Sequence, residues 1–228
     1  MQTTGDPLGS GRSADVYAID EAWVLRRYRH VADVVSEAAL MRYLYGHGYP
    51  VPQVRPDHPA CLDPGTDLVM RRLSGPTMAQ AMLAGAMPAE DGGATLARLL
   101  GRLHAVPARR SHTREARVLH LDLHPENVML TKDGPVVIDW SNADEGPPGL
   151  DWAMSALILA QAALGSPPEI AVGIGKGLAA LLGNAGDEVD ALAHLPQAKA
   201  RRAADPGMSR LEIAQLDEAV AMVRATTG

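Results

Sequence analysis

The chain has 228 residues, is 46% hydrophobic and carries a formal net charge of −6 at pH 7. This composition suits a globular protein of one domain or two closely packed lobes, and the charge argues against nucleic acid as the main partner. No apolar stretch approaches the roughly 20 residues of a membrane span, and no secretory signal is visible. We therefore expect a cytoplasmic protein without a membrane partner.

The first 75 residues are predicted to form a small antiparallel sheet with one helix. Two short strands are expected at residues 14–19 and 23–28, and a further apolar strand at residues 68–70. Between them, apolar residues recur at helical spacing over residues 33–44, and glycines then stop the pattern. The turn signal Ser74-Gly75-Pro76 marks the end of this part of the chain.

Beyond this turn the chain is rich in alanine and leucine and is predicted to be mainly helical. Asp151 is expected to be the N-cap of an apolar, buried helix. The predicted helices are 77–84, 89–104, 153–164 and two or three more within 168–225. Strands followed by helices indicate an α+β fold with two domains, residues 1–75 and residues 76–228.

The strongest chemical signal is the run from His120 to Asn127, which is followed by a predicted β-hairpin and then Asp139. Asn127 enters the first hairpin strand and Asp139 leaves the second. Antiparallel pairing would bring both side chains to the same end of the ribbon. Their oxygen atoms suit Mg²⁺, which commonly takes one or two protein ligands. Asp122, in the preceding loop, is left to face a nucleophile.

This run resembles the catalytic loop of protein kinases and, more closely, that of the aminoglycoside phosphotransferase family, a small-molecule branch of the kinase-like fold. Protein kinases usually have lysine at the position of His124, whereas this branch typically has histidine. Asp139 is followed by Trp140 and Ser141 rather than by phenylalanine and glycine, which is another trait of the branch. Leu121 departs from the family pattern, which usually has glycine there. The resemblance also implies that Asp151 braces the catalytic loop, as an alternative to its role as a helix N-cap.

The resemblance implies a bilobal protein-kinase-like fold, with a nucleotide-binding N-terminal lobe and a catalytic and substrate-binding helical C-terminal lobe. It implies a phosphotransferase that moves the γ-phosphate of ATP or GTP to a hydroxyl of a small molecule. Asp122 would be the catalytic residue that orients this hydroxyl, while Asn127 and Asp139 would bind Mg²⁺. The acceptor classes of the family include aminoglycosides, other antibiotics, choline-like amines, sugars and amino-acid derivatives.

Further cofactor-binding residues are predicted in the N-terminal part. Gly9 and Gly11 resemble the start of a phosphate-covering loop, because glycine permits close approach of the backbone to phosphate oxygens. Kinases normally present a lysine from their third strand, but this chain has no lysine before residue 132. We assign that role to Arg26, with Arg27 as the alternative because the strand register is uncertain. The predicted nucleotide-binding residues are Gly9, Ser10, Gly11, Ser13, Arg26, Glu37, Met70, Asn127 and Asp139.

Several alternatives stay open from the sequence. His120 and His124 have the spacing of a helical metal site, which Pro125 and the lack of a third ligand disfavour. A purely structural loop would not explain the two carboxylates and the amide together. A pseudokinase that binds nucleotide without transfer is suggested by the missing lysine. A protein kinase is disfavoured by His124 and by the absence of an Ala-Pro-Glu segment after Asp139.

The acceptor and the oligomeric state are undecided between alternatives. A cationic acceptor would favour an acidic lobe, although surface carboxylates are common. The acidic residues considered are Asp144, Glu145, Asp187, Glu188, Asp190, Asp217 and Glu218. The sequence does not distinguish a monomer from a dimer.

Overall fold

The structure is a computed structural model that describes residues 5–11, 13–186 and 190–227. The chain divides into two compact units. The first comprises Met1–Gly75 with Met129–Ser141, and the second comprises Pro76–Val128 with Asn142–Gly228. The division after residue 75 falls at the predicted turn, and the residues of the predicted hairpin belong almost entirely to the first unit.

The first unit is built on a four-stranded antiparallel sheet in the order β1-β2-β3-β4. Its elements are β1 (Pro7–Ser10), β2 (Ala14–Ala18), β3 (Trp23–Tyr28), helix α1 (Val34–Gly46) and β4 (Asp67–Arg71). Strand β3 lies inside the sheet, and Trp23 and Leu25 form a core cluster with Val69 of β4. Since side chains alternate along a strand, Arg26 and Tyr28 share the opposite face.

The hairpin β6 (Val128–Thr131) and β7 (Gly134–Val137) forms a separate two-stranded sheet. The turn that ends the N-terminal segment packs directly against this hairpin. Gly75 has a φ of 135°, and a Cβ atom there would collide with the backbone carbonyl of Leu130. Only glycine fits such a position, because it has no side chain and tolerates positive φ.

The second unit is mainly helical. Its elements are α2 (Met78–Leu83), α3 (Ala89–His104), β5 (Arg117–Leu119), β8 (Asp144–Gly146), α4 (Pro148–Leu164), α5 (Pro168–Gly183), α6 (Ala191–Ala203), α7 (Arg210–Ala214) and α8 (Leu216–Thr226). Helix α4 is buried on nearly all sides and packs against α5, α6 and α8. Helices α3 and α5 approach so closely that a Cβ on Gly93 would collide with the carbonyl of Gly177.

These elements confirm the predicted α+β fold with an antiparallel sheet in the N-terminal part. Two details of the prediction are wrong. Asp151 lies in the first turn of α4 rather than at its N-cap, which is Pro147. In the described residues beyond position 167 there are four helices rather than two or three. The short helix α7 lies directly before α8, and in the sequence the two cannot be told from a single helix. Strands β1, β5 and β8 were not predicted, since three or four residues carry too little periodicity.

No helix in the described parts of the chain is both long enough and apolar enough to cross a membrane.

Candidate active site

A buried cluster of charged side chains in the first unit contains three of the predicted site residues. Arg26 Nη1 donates to Glu37 Oε1 at 3.3 Å, and Arg26 Nη2 donates to Asp139 Oδ1 at 2.7 Å. The hydroxyl of Tyr28 donates to the other oxygen of Glu37 at 2.6 Å. The side chains of Arg26 and Glu37 are 9% and 5% exposed, so this ion pair is largely removed from solvent.

The pKa values of the cluster reflect its burial. Burial raises the pKa of Glu37, and although Arg26 and the Tyr28 hydroxyl oppose this, the net pKa stays above its ordinary value. Burial acts to lower the pKa of Arg26, but the neighbouring carboxylates, chiefly Asp139, outweigh it and the net pKa is raised. The pKa of Tyr28 is also raised, mainly by burial. Arg26 therefore remains a cation held between two carboxylates.

Asp139 is held in a restricted conformation two residues beyond β7. Its φ is 62°, a left-handed value that costs a residue with a side chain about 1–2 kcal/mol. The hydroxyl of Ser141 donates to Asp139 Oδ1 at 2.8 Å, the same oxygen that Arg26 contacts. The side chain of Asp139 is 34% exposed, whereas that of Glu37 is only 5% exposed. Asp139 is thus both fixed by neighbours and reachable by a solvated ligand.

The predicted glycine loop is an exposed connection between β1 and β2. Gly9 and Ser10 lie in β1, and the Gly11 N–H donates to the carbonyl of Ala14 at 2.9 Å. Arg29 braces the loop: it donates to the Gly11 carbonyl, to Ser10 Oγ and to Asp15. The loop residues are therefore tied to the end of β3 rather than to the Arg26 cluster. Ser13 is exposed, and its carbonyl accepts from the Arg29 N–H.

The two candidate arginines of β3 have different partners. Arg27 makes two hydrogen bonds to Asp67, at 2.7 and 2.8 Å, and this pair braces the chain leading into β4. Arg26 instead faces Glu37 and Asp139, as described above. The predicted hinge residue Met70 lies on β4, paired with Val24 and bridged to Val54, and is partly exposed.

In the second unit, Asp151 organises the predicted catalytic loop. Its two oxygens accept the N–H groups of His120 and Leu121 at 2.8 and 2.7 Å, and His104 Nε2 lies 3.0 Å from Oδ2. Burial acts to raise the pKa of Asp151, but the hydrogen bond from His104 and the nearby histidines and N–H groups outweigh it, so the pKa lies below its ordinary value. Asp151 thus stays ionised although its side chain is fully buried.

Leu121, whose backbone N–H donates to Asp151, has an unusual backbone conformation. Leu121 has a φ of 62° and a fully buried side chain. The left-handed conformation explains why the related family usually has glycine there, and here leucine adopts it nonetheless. The next N–H, that of Asp122, donates to His120 Nδ1 at 3.2 Å. The loop geometry is therefore set by Asp151 and His120 together.

Asp122 and Asn127 are brought together within this loop. Asn127 Nδ2 donates to the backbone carbonyl of Asp122 at 2.8 Å, and it also lies 3.4 Å from Asp122 Oδ2. Because a carbonyl requires a donor, this bond orients the amide and leaves Asn127 Oδ1 as the atom that can bind a cation. His124 caps the short 3-10 helix Pro125–Asn127 with an extended backbone, so the two histidines do not form a helical metal site.

The described residues contain no group of three or more His, Cys, Asp or Glu side chains arranged to hold a metal. Mg²⁺ usually takes few protein ligands, keeps several waters and completes its octahedron with substrate phosphates. Asn127 Oδ1 and the partly exposed carboxylate of Asp139 are hard oxygen donors of the kind it requires. The residues present therefore fit the predicted ion.

Sequence reasoning missed two further residues of these clusters. Tyr28 completes the environment of Glu37, and its only sequence signal is its place two residues after Arg26 on the same strand face. Arg202 of α6 has its Nη1 3.9 Å from Asp122 Oδ1. About eighty residues of sequence separate these two, and no local pattern links them.

Comparison with known proteins identifies the family. The family model described as "Phosphotransferase enzyme family" matches residues 4–117 and 107–192. A search of curated protein sequences finds no match.

Solved structures share the fold at low identity. The gentamicin complex of APH(2″)-IIa has a TM-score of 0.60 and 13% identity, over 96% of this chain and 90% of that one. A choline/ethanolamine kinase family protein from Mesorhizobium loti has a TM-score of 0.57 and 15% identity, over 99% and 88%. Spectinomycin phosphotransferase APH(9)-Ia, with ADP and spectinomycin, has a TM-score of 0.60 and 11% identity, over 97% and 92%.

These relatives confirm the predicted kinase-like fold of the aminoglycoside phosphotransferase type. Since the family model matches most of its length, the chain belongs to the phosphotransferase enzyme family.

Proposed function

We propose that this enzyme transfers the γ-phosphate of a nucleoside triphosphate to a hydroxyl group of a small molecule. The observation that carries the proposal is the buried ion pair of Arg26 with Glu37, which also reaches Asp139. In kinases a lysine–glutamate pair stands at the equivalent point of the fold, and its cation binds the nucleotide phosphates. Here an arginine supplies the cation, with a planar fork of donors in place of an ammonium.

We propose a role for each candidate residue. Arg26 binds phosphate oxygens, oriented by Glu37, while the glycine loop with Ser10 and Ser13 covers the phosphates. Asp122 orients the acceptor hydroxyl and accepts its proton during transfer. Met70 lines the adenine or guanine site. Residues 1–75 would thus supply most of the nucleotide contacts, and residues 76–228 the catalytic loop and the acceptor site.

Asn127 and Asp139 would bind Mg²⁺. The ion, when bound, would offset negative charge on the transferring phosphoryl group. Asp139 is hydrogen-bonded to Arg26, so phosphate binding to Arg26 must displace or share that bond. Because phosphate and Asp139 compete for Arg26, removing the Asp139 carboxylate should affect nucleotide binding differently with and without Mg²⁺.

The nucleotide is ATP or GTP. Among structures of similar fold, APH(2″)-Ib is solved with ADP, APH(2″)-IIa with ATP and streptomycin, and APH(2″)-IIIa with GDP and kanamycin. These ligands belong to those proteins, which are only 13–15% identical to this chain. We therefore propose nucleotide dependence for this chain without choosing the base.

Calorimetric titration with ATP and GTP, with and without Mg²⁺, tests the proposal. Nucleotide binding should strengthen with Mg²⁺ in the unmodified protein. Asp139→Ala should lose that gain, yet retain or strengthen Mg²⁺-free binding, because Arg26 is released from its carboxylate. The matched control is Asp133→Ala, an exposed aspartate in the turn of the same hairpin, which should behave like the unmodified protein.

Two results would count against the proposal. A folded protein that binds neither nucleotide would rule out a nucleotide-dependent phosphotransferase. Equal Mg²⁺ dependence in the unmodified protein and Asp139→Ala would remove Asp139 from the metal site. For the transfer step, Asp122→Asn should lower turnover about 10²- to 10⁴-fold while leaving nucleotide affinity unchanged.

A further inference from the structure

Arg202, on the last turn of α6, is the cation next to the predicted catalytic aspartate. Its Nη1 lies 3.9 Å from Asp122 Oδ1 and 4.0 Å from Asp205 Oδ2, at the outer limit of an ion pair. The side chain is 14% exposed, so it is held among protein atoms rather than extended into solvent. A guanidinium in this position is close to where an acceptor hydroxyl must sit if Asp122 is to orient it.

The orientation of Arg202 is fixed by a hydrogen bond that does not use its terminal nitrogens. Arg202 Nε donates to Gln161 Oε1 at 3.0 Å. Gln161 is itself buried in α4, and its Nε2 donates to the carbonyl of Glu212 at 3.1 Å. Arg202 is therefore pre-positioned by two elements, α4 and α7, before any ligand binds.

The terminal nitrogens of Arg202 have hydrogen-bonding capacity left. Over the part of the chain that the structure describes, Gln161 is the acceptor that lies within hydrogen-bonding distance of Arg202, and its bond uses Nε. Nη1 faces the carboxylates of Asp122 and Asp205 only at ion-pair distances of 3.9 and 4.0 Å, and within the described residues neither contact involves Nη2. A guanidinium with such free donors is suited to a planar anion, which it can bind through two parallel hydrogen bonds.

The acidic residues that could have favoured a cationic acceptor are instead committed to the fold. Glu145 accepts the backbone N–H groups of Arg109, Arg110 and Ser111, at 2.6–3.0 Å. Asp144 pairs with Arg110 and with Arg201.

The C-terminal acidic residues have structural partners as well. Asp190 caps α6, and Asp217 pairs with Lys199. Glu218 lies in the first turn of α8, where a carboxylate favours the helix N-terminus. Asp187 and Glu188 lie outside the described residues. Those of the predicted acidic residues that the structure describes thus have structural roles in the fold.

We propose that Arg202 binds an anionic group of the acceptor, a carboxylate or a phosphate, adjacent to the hydroxyl that is phosphorylated. This inference rests on the proposed function and narrows it: the acceptor is an anionic hydroxyl compound rather than a polycationic aminoglycoside. Arg202 would bind substrate and set specificity, and Asp122 would remain the residue that faces the hydroxyl.

The test is a binding screen in the presence of ADP and Mg²⁺. Hydroxyl compounds of three charge classes are compared by thermal shift and then by calorimetry: hydroxy acids and sugar phosphates, neutral sugars and polyols, and amino alcohols with aminoglycosides. The variants are Arg202→Gln and Arg202→Lys. The matched control is Arg201→Gln, which makes the same charge change on the same turn of α6 but pairs with Asp144.

The expected result is that anionic compounds bind the unmodified protein best. Arg202→Gln should weaken their binding about 10- to 100-fold, the range for losing hydrogen bonds to a charged group. Arg202→Lys should lie between, because it keeps the charge and loses the fork, and Arg201→Gln should change affinity less than about twofold. Comparing the affinities of hydroxy acids with those of sugar phosphates shows whether the anionic group bound by Arg202 is a carboxylate or a phosphate.

Three outcomes would overturn the inference: preferential binding of neutral or cationic compounds, absence of binding by any anionic compound, or equal losses in Arg202→Gln and Arg201→Gln. A selective loss of ATP affinity in Arg202→Gln would also overturn it, since Arg202 would then contact nucleotide. Each of these leaves the proposed function intact as long as Mg²⁺-dependent nucleotide binding is observed. Failure of nucleotide binding itself would instead refute the proposed function.

Discussion

Replacement of Arg26 by methionine is the most informative perturbation of this protein. Methionine fills much of the same volume but removes the cation that faces Glu37 and Asp139. Glu37 then keeps two uncharged partners, the Tyr28 hydroxyl and the Trp140 backbone N–H, although its side chain is only 5% exposed. Removing one partner of a buried ion pair typically costs about 3–5 kcal/mol, because the other charge is left without compensation. We expect Arg26→Met to lower the free energy of unfolding by this amount.

A second substitution separates the charge effect from lost packing. Glu37→Gln removes the uncompensated charge but keeps an oxygen for the Tyr28 hydroxyl. The double variant Arg26→Met/Glu37→Gln should therefore recover about 1–3 kcal/mol relative to Arg26→Met alone, as coupled neighbours do in a double-mutant cycle. The control is Arg29→Met, because Arg29 and Asp15 are a more exposed pair, and its loss of stability should be much smaller than that of Arg26→Met.

The pH dependence adds a signed test. The pKa of Glu37 is already raised in the folded protein, and without Arg26 it rises further. A carboxyl group whose folded pKa is raised contributes stability below its unfolded pKa, near 4.5, and loses that contribution as pH rises through the folded pKa. The stability deficit of Arg26→Met should therefore be smaller at pH 5 than at pH 8.

Urea unfolding, followed by circular dichroism across this pH range, measures five proteins: the unmodified protein, Arg26→Met, Glu37→Gln, the double variant and the Arg29→Met control. The Arg26→Met deficit should lose most of its pH dependence when Glu37→Gln is added. A loss below about 1 kcal/mol for Arg26→Met, or strict additivity of the two substitutions, would refute the reasoning. Either result would mean that the cluster is solvated well enough for its charges to act independently.

Two further predictions concern the catalytic loop. Asp151→Asn should cost about 2–4 kcal/mol, because an amide offers one acceptor oxygen to the two backbone N–H groups that Asp151 now binds. The pKa of Asp151 is lowered in the folded protein, so its ionised carboxylate stabilises the fold above the unfolded pKa, near 3.8, and this stabilisation is lost as pH falls through the folded pKa. Asp151→Asn should therefore lack this contribution to the loss of stability at acid pH. Leu121→Gly should relieve about 1–2 kcal/mol of left-handed strain but lose about 2–5 kcal/mol of burial, so a net gain in urea stability would contradict the packing assigned to Leu121.

Local patterns were sufficient to predict much of the N-terminal sheet and the principal helices. Strand β3 has the predicted bounds because apolar and aromatic residues stand at both of its ends, around two arginines, and turn residues precede it. Helix α3 likewise has the predicted bounds, because its leucines recur at helical spacing. Spacing alone also grouped Asp122 with Asn127, since both lie in one short loop and the structure bonds them.

Contacts between distant parts of the chain could be decided only by the tertiary structure. Whether Arg26 or Arg27 pairs with Glu37 depends on which face of β3 meets α1, and a register shift of one residue would have exchanged their partners. The family resemblance implied that Asp151 braces the catalytic loop, but the atoms that it contacts could not be read from its helix position, because they lie about thirty residues earlier in sequence. Arg202 carries no local signal at all: only the packing of α6 against α4 brings it to Asp122. The sequence by itself determined the fold class and the resemblance to a phosphotransferase family, because both depend on patterns of neighbouring residues. The partners of each charged side chain instead depend on packing between residues that are far apart in the sequence.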